Sequence, residues 1–144
     1  MSQTIKTITD PREIQKLLPQ REPMIMVDRL DYFDSKKIKT ALTIRHENVF
    51  VEKGHLSEAG IIEHIAQSIA LLTGHVKKGV NEPTVGYIGG IKDFEIYELP
   101  HMGKTLETQV EVTQEFMGMR LSHAEVYLGT KLIASGVLKT ATKP

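Results

Sequence analysis

The sequence predicts an α+β domain in which an antiparallel sheet of five to six strands wraps around one long central helix. Three observations carry that prediction. From residue 84 onward the chain is a run of strand-like segments, largely alternating, separated by turn residues. Residues 58–73 form one long apolar segment, preceded by Ser57 as a capping residue. That segment holds no lysine or arginine between Ser57 and Gly74, so it lacks the solvated face of a surface helix.

Taken in order, "TDPREIQKLLP" opens with a short helix. Asp10 is its cap, Pro11 stands at the first helical position, Glu13 lies in the first turn and Pro19 follows the end. A strand within "MIMVDRLDYFD" is followed by the alternating "KIKTALTI", with Ser35 and Lys36 at the turn. Residues 46–56 read as irregular. The long helix then runs to about Gly74, a residue suited to a left-handed stop. "TVGYIGGIKDFEIYEL" reads as a long strand bent at Gly89–Gly90, because paired glycines inside a strand mark a bulge or a close backbone approach. "TLETQVEVTQEF" alternates strictly, and "RLSHAEVYL" and "KLIASGVLKT" flank a two-residue hairpin at Gly129–Thr130.

Composition narrows the function classes. The 144 residues fit a single domain, 1–144, able to bury a core without metals or disulfides. Eighteen basic residues balance eighteen acidic ones, so no global field recruits nucleic acid or an anionic membrane. The absence of cysteine excludes a disulfide framework, a thiolate metal site and a cysteine nucleophile. The N-terminus lacks the apolar core of a signal peptide and no apolar run reaches membrane length, so the expected location is cytoplasmic.

The helix also suggests a site. At about 100° per residue, Ile62, Ile65, Ala66, Ile69, Leu72 and Thr73 cover roughly half the circumference. Glu63, His64, Gln67 and Ser68 fall opposite, with Leu71 among them. A polar sector without lysine or arginine is expected to be buried or half-buried, with that face at a dimer interface or cleft. A carboxyl in such a setting is suited to proton transfer near neutrality, and histidine titrates there already. Glu63 and His55 are therefore the candidates for general acid–base chemistry without metal or cofactor. The free N–H groups at the helix start could face a carbonyl oxygen that builds negative charge. His75, His101 and His123 have no ligand-like spacing, so no metal site is expected. Asp28 and Arg29 read as a structural ion pair.

Four ordered segments resemble the hotdog-fold 3-hydroxyacyl-(acyl carrier protein) dehydratases of bacterial fatty-acid synthesis. They are "IQKLLPQREPMIMVDRL", "HENVFVEKGHL", "IIEHIAQSIA" and "YIGGIKDFEIYELPHMGKTLETQVEV". The resemblance implies a hotdog fold and a catalytic pair, contributed by opposite subunits of a dimer. Carried over, His55 abstracts the proton α to a thioester and Glu63 protonates the departing 3-hydroxyl. Gln67 helps hold the carboxylate, and Gly89–Gly90 borders the acyl channel. The substrate is carried on the phosphopantetheine of an acyl carrier protein or of CoA, with no bound cofactor. The assembly implied is a homodimer or trimer of dimers, or a hetero-oligomer with a paralogue. Lys77, Lys78, Lys92 and Arg120 are the cations weighed as contacts for an acidic carrier protein, against a plain solvated role.

The chain departs from the pattern twice. Gln20 stands where the family's first motif has histidine, which reads as a structural change. Only "LSEAGII" lies between His55 and Glu63, without the proline–glycine that opens the family's helix. This is similar to the dehydratase-like proteins encoded with aryl polyene or flexirubin-type pigment synthesis. Glu63 lies about 9 Å along the axis from Ser57, which fits pairing across a two-fold axis. Gly60 becomes the candidate oxyanion donor, since a residue without a side chain lets a thioester approach the backbone. Two other readings stay open: a hotdog acyl thioesterase, in which the carboxylate activates water and His55 is dispensable, and a non-catalytic acyl-carrier-binding subunit.

Overall fold

The computed structural model describes residues 7–76 and 86–142. The elements are α1 (Pro11–Gln15), β1 (Arg29–Phe33), β2 (Lys37–Thr43), β3 (Val51–Glu52), β4 (His55–Leu56), α2 (Glu58–Val76), β5 (Gly86–Ile96), β6 (Thr105–Phe116), β7 (Met119–Leu128) and β8 (Lys131–Thr142). Six strands form one antiparallel sheet in the order β1-β2-β6-β7-β8-β5, while β3 and β4 make a separate hairpin.

Local chemistry explains most boundaries. Asp10 Oδ1 accepts the Arg12 N–H at 2.9 Å, and Pro11 needs no partner for its nitrogen at the helix start. Arg21 folds back to donate to the carbonyls of Gln15, Leu18 and Gln20, satisfying the chain beyond α1. Asp34 Oδ1 accepts the N–H groups of Lys36 and Lys37, both at 2.8 Å, and so shapes the turn around Ser35–Lys36. The β7–β8 turn is the expected two-residue Gly129–Thr130 connection, with Leu128 opposite Lys131 and Gly129 at φ 62.

Several boundaries differ from the sequence reading. The strand expected within Met24–Asp34 is β1, which begins only at Arg29. Residues 51–56, read as irregular, hold the short β3–β4 hairpin. The long helix passes through Gly74 to Val76. Asp28 does not pair with Arg29: its Oδ2 accepts the Thr43 N–H, while Arg29 bonds Asp31 at 2.7 Å. The bend at Gly89–Gly90 is present, as a register shift between Ile88 and Gly90 against β8.

The sheet curls around α2, which packs on β2 and β6. Alternation places Leu106, Thr108, Val110 and Val112 of β6 inward, and Arg120, Ser122, Ala124 and Val126 of β7 likewise. Ile61, Ile65, Ile69, Leu71 and Leu72 fill the concave side with Ile38, Leu42 and Leu138. Each such side chain contributes about 1.5–3 kcal/mol by leaving water. Gly136 is buried in β8 because Phe94 of β5 crosses it: an added Cβ would lie 2.6 Å from Phe94 Cδ1 and 3.0 Å from its Cα. Gly136→Ala is therefore expected to cost about 1–3 kcal/mol through overpacking, read as a lower urea midpoint at fixed protein concentration. An unchanged midpoint would show that Phe94 moves aside freely.

Candidate active site

His55 owes its position to a two-residue hairpin. Lys53 and Gly54 take φ values of 52° and 81°, the pair of positive angles that joins β3 to β4 tightly. The hairpin is pinned to the segment after β5: the Leu56 N–H donates to the Pro100 carbonyl and the Met102 N–H to the Gly54 carbonyl, both at 2.9 Å. His55 is half-buried, and its Nδ1 lies 3.1 Å from the Lys53 carbonyl. Because a carbonyl only accepts, Nδ1 carries a proton, and in the neutral ring the lone pair is then on Nε2. The His101 ring lies against it, centroids 4.0 Å apart and tilted by 40°.

Ser57 starts α2 two residues later. Its Oγ accepts the Gly60 N–H at 3.2 Å and its carbonyl accepts the Ile61 N–H at 3.1 Å. Gly60 is glycine for packing: a Cβ there would sit 2.6 Å from Leu56 Cδ1 and 2.7 Å from Phe50 Cβ. The space expected to admit a thioester is filled, and the N–H expected to face it is bonded to Ser57. The oxyanion reading of Gly60 thus loses its geometric basis.

One turn further, Glu63 and Gln67 meet. Gln67 is fully buried; its Nε2 donates to Glu63 Oε2 and to the Met24 carbonyl, both at 2.7 Å, and its Oε1 accepts the Met26 N–H at 2.6 Å. Both amide hydrogens and the amide oxygen have partners, so the Glu63 carboxyl is held from a fixed point. Glu63 itself is half-buried, and no second hydrogen bond among the described residues engages its Oε1. Within one chain His55 and Glu63 are not hydrogen-bonded to each other.

His64 belongs to the core. Its Nδ1–H donates to the Met26 carbonyl at 2.6 Å, and Nε2 accepts the Thr108 hydroxyl at 2.7 Å. Ser68 Oγ, one turn on, is 2.7 Å from Thr40 Oγ1. The polar residues His64 and Ser68 thus face the sheet, and the half-exposed strip of α2 is Ile62, Glu63, Ala66 and Ala70. These four fall within an arc of about 100°. The helical wheel groups Ile62 and Ala66 with Ile65 and Ile69, which are buried.

Gly89 is exposed and Gly90 half-buried, with Lys139 the near neighbour of both. Of the expected carrier-protein cations, Lys92 is exposed, whereas Arg120 is buried, donating to Glu115 at 3.2 Å and to Thr73 Oγ1 at 3.1 Å. Arg120 is therefore not available to a docking partner. Lys77 and Lys78 lie outside the described residues. No helix among those described is long and apolar enough to cross a membrane.

With this geometry in hand, the comparisons with known proteins are specific. The family model described as ApeP-like, ApeP dehydratase, matches residues 12–144. The chain belongs to the ApeP dehydratase family. It is a dehydratase, a hydro-lyase of the hotdog fold. Among curated relatives of this ApeP-type chain, the 3-hydroxyacyl-[acyl-carrier-protein] dehydratase FabZ of Shewanella woodyi is 26% identical over 150 residues, covering 99% of this chain and 97% of that one. FabZ of Cupriavidus taiwanensis is 32% identical over 117 residues, covering 76% and 78%. Among solved structures, the dehydratase heterocomplex ApeI:P from Xenorhabdus doucetiae aligns with a TM-score of 0.84 at 19% identity, covering 91% of both chains. Thioesterase superfamily member2 from Mus musculus aligns with a TM-score of 0.62 at 13% identity, covering 78% and 79%. At that identity both structures speak for the fold.

Burial gives His64 a testable signature. Desolvation pushes its imidazole down to about 4, against a weaker upward pull from the Met26 carbonyl. Above its ordinary value of 6.5 the ring is neutral in both states. Between there and about 4 the unfolded chain binds a proton that the native ring refuses, so stability falls as the pH drops. The full effect is on the order of 3 kcal/mol. The stability advantage of wild type over His64→Asn, measured by urea unfolding, should shrink steadily from about pH 7 to about pH 4.5. A gap that stays constant would contradict the assignment.

Proposed function

We propose that this dehydratase removes water from a 3-hydroxyacyl thioester, carried on the phosphopantetheine arm of an acyl carrier protein, to give the trans-2-enoyl thioester. The observation that carries the reading is the half-buried Glu63 carboxyl, held from one side by Gln67 and left open on the other. It opens the strip formed with Ile62, Ala66 and Ala70, small or apolar positions along which an acyl chain could lie.

The proposed step balances within the pair. Nε2 of His55 takes the proton α to the thioester carbonyl, and electron density moves toward the carbonyl oxygen. The carbon–oxygen bond at C3 then breaks as Glu63 donates its proton to the departing hydroxyl, releasing water. The imidazolium and carboxylate left behind restore the starting state by net transfer of one proton. His55 and Glu63 of one chain make separate contacts, so the pair is read as meeting across a subunit interface. An edge of the sheet supports that reading: among the described residues β5 has no neighbour on its outer side, and it leaves Ile88 and Ile91 exposed. Gly89 and Gly90, on that same strand, would border the channel.

The partner subunit is a second copy or a paralogue. The paralogue gains support from the Xenorhabdus structure, which is named as a heterocomplex. The proposed setting for this work is the cytoplasm.

The test is mass loss of water from 3-hydroxyacyl thioesters on carrier protein, run for the chain alone and with a co-purified paralogue. His55→Ala and Glu63→Gln are each expected to lower kcat/KM by about 10²–10⁴. Turnover of both variants at the wild-type rate would remove the pair from the chemistry. Thioester hydrolysis that survives His55→Ala, without dehydration by wild type, would favour the thioesterase reading.

A further inference from the structure

Among the described residues, the polar side chains that are buried as a whole are hydrogen-bonded, with one exception. Ser122 is fully buried on the inner face of β7, and its Oγ has no hydrogen-bond partner. Buried hydroxyls are nearly always paired, so an unpaired one calls for an explanation. The inward position before it on β7 is Arg120, which is also buried. The Arg120 guanidinium donates through Nε to Glu115 and through Nη1 to Thr73 Oγ1, which leaves Nη2 without an acceptor among the described residues.

These groups stand at the far end of the half-exposed strip on α2. Ile62, Glu63, Ala66 and Ala70 make up the strip, and the next position within the same arc is Thr73. Thr73 is only 4% exposed; its hydroxyl accepts from Arg120 and donates to the Ile69 carbonyl at 3.2 Å. The strip is therefore open for about two turns beyond Glu63 and closes in the third. From Glu63 to Thr73 is about 15 Å along the helix axis. An extended carbon chain covers that distance in about twelve bonds.

We propose that Ser122, Arg120 and Thr73 form a terminal subsite that selects acyl chains of this length carrying a hydroxyl at the end remote from the thioester. The proposal rests on the reading of Glu63 as the acid acting at C3 and of the strip as the acyl path. A terminal hydroxyl accepts the free N–H of Arg120 Nη2 and exchanges a hydrogen bond with Ser122 Oγ, which can donate or accept. A methyl end leaves both groups buried without a partner. That loss is what lets hydrogen-bonding sites discriminate against analogues lacking the group. A carboxylate fits less well, because the cation it needs is already paired with Glu115 and a second anion would enter a buried site.

The experiment compares dehydration of 3-hydroxyacyl thioesters on carrier protein, of about 8 to 16 carbons, ending in methyl, hydroxyl or carboxylate. Wild type, Ser122→Ala and Arg120→Gln are assayed in the oligomer that turns over. Binding of acyl pantetheine amides with the same three ends, which lack the 3-hydroxyl and cannot lose water, is followed by calorimetry. At the preferred length, wild type is expected to favour the hydroxyl end over the methyl end by about tenfold in kcat/KM and in affinity. In both variants that ratio should fall to about one. A ratio taken within each protein cancels any general loss of fold. Should Arg120→Gln fail to fold, Ser122→Ala decides, since it removes a hydroxyl that no protein group engages. A wild-type ratio near one overturns the proposal, as does a preference for the carboxylate end. So does a hydroxyl preference that survives Ser122→Ala. If no thioester is dehydrated while the amides show the preference in wild type and lose it in Ser122→Ala, the catalytic reading fails and the subsite stands.

Discussion

Both polar groups of the Met26 backbone are held by side chains of α2, and much of the molecule hangs on that grip. Gln67 accepts the N–H and His64 donates to the carbonyl, over sequence separations of 41 and 38 residues. The hold explains why two buried polar residues sit in the most apolar segment of the chain. An extended stretch outside the sheet would otherwise bury backbone groups without partners, at about 1–3 kcal/mol each. It also explains the proposed acid. With one amide hydrogen committed to the Met24 carbonyl and the oxygen to Met26, Gln67 has one hydrogen left, and it goes to Glu63.

The helix is stitched to the sheet by hydroxyls as well as by packing. Thr108 meets His64, Thr40 meets Ser68, and Thr73 meets the guanidinium of Arg120. Each pair joins α2 to a different strand: β6, β2 and β7. Apolar contact alone would tolerate a helix that rotates or slides in its trough. Directional bonds of this kind admit one register, so the rotation that presents Glu63 on the half-exposed strip is specified rather than merely allowed.

The sequence made the strands and the long helix readable because their periods are local. Two-residue alternation, a capping serine and the turn at Gly129–Thr130 need only neighbours to be understood, and the Gly89–Gly90 kink followed from the same logic. The rotation of α2 was another matter. Hydropathy grouped Ile62 and Ala66 with Ile65 and Ile69, and His64 with Glu63, but Thr40 and Thr108 on the sheet supply partners that no helical wheel contains. Within Met24–Asp34 the strand starts only at Arg29; before it, the Met26 N–H and the Met24 and Met26 carbonyls bond to side chains of α2 instead. Arg29 chose Asp31, two residues on and on the same face of its strand, over adjacent Asp28. His55 and Glu63 were legible chiefly through family resemblance, whereas the stacking of His101 on His55 is a long-range result of topology.

The edge strand β5 has two unlike halves. Near its start it offers the aliphatic side chains Ile88 and Ile91. Further on, exposed Lys92, Asp93 and Glu95 coincide with a second register shift, and Asp93 is bent into a left-handed conformation. An incoming strand therefore finds a welcoming rail for part of its length and a charged, twisted obstruction beyond it. Such an edge admits one mate in one alignment and discourages the sliding adhesion from which fibrils grow.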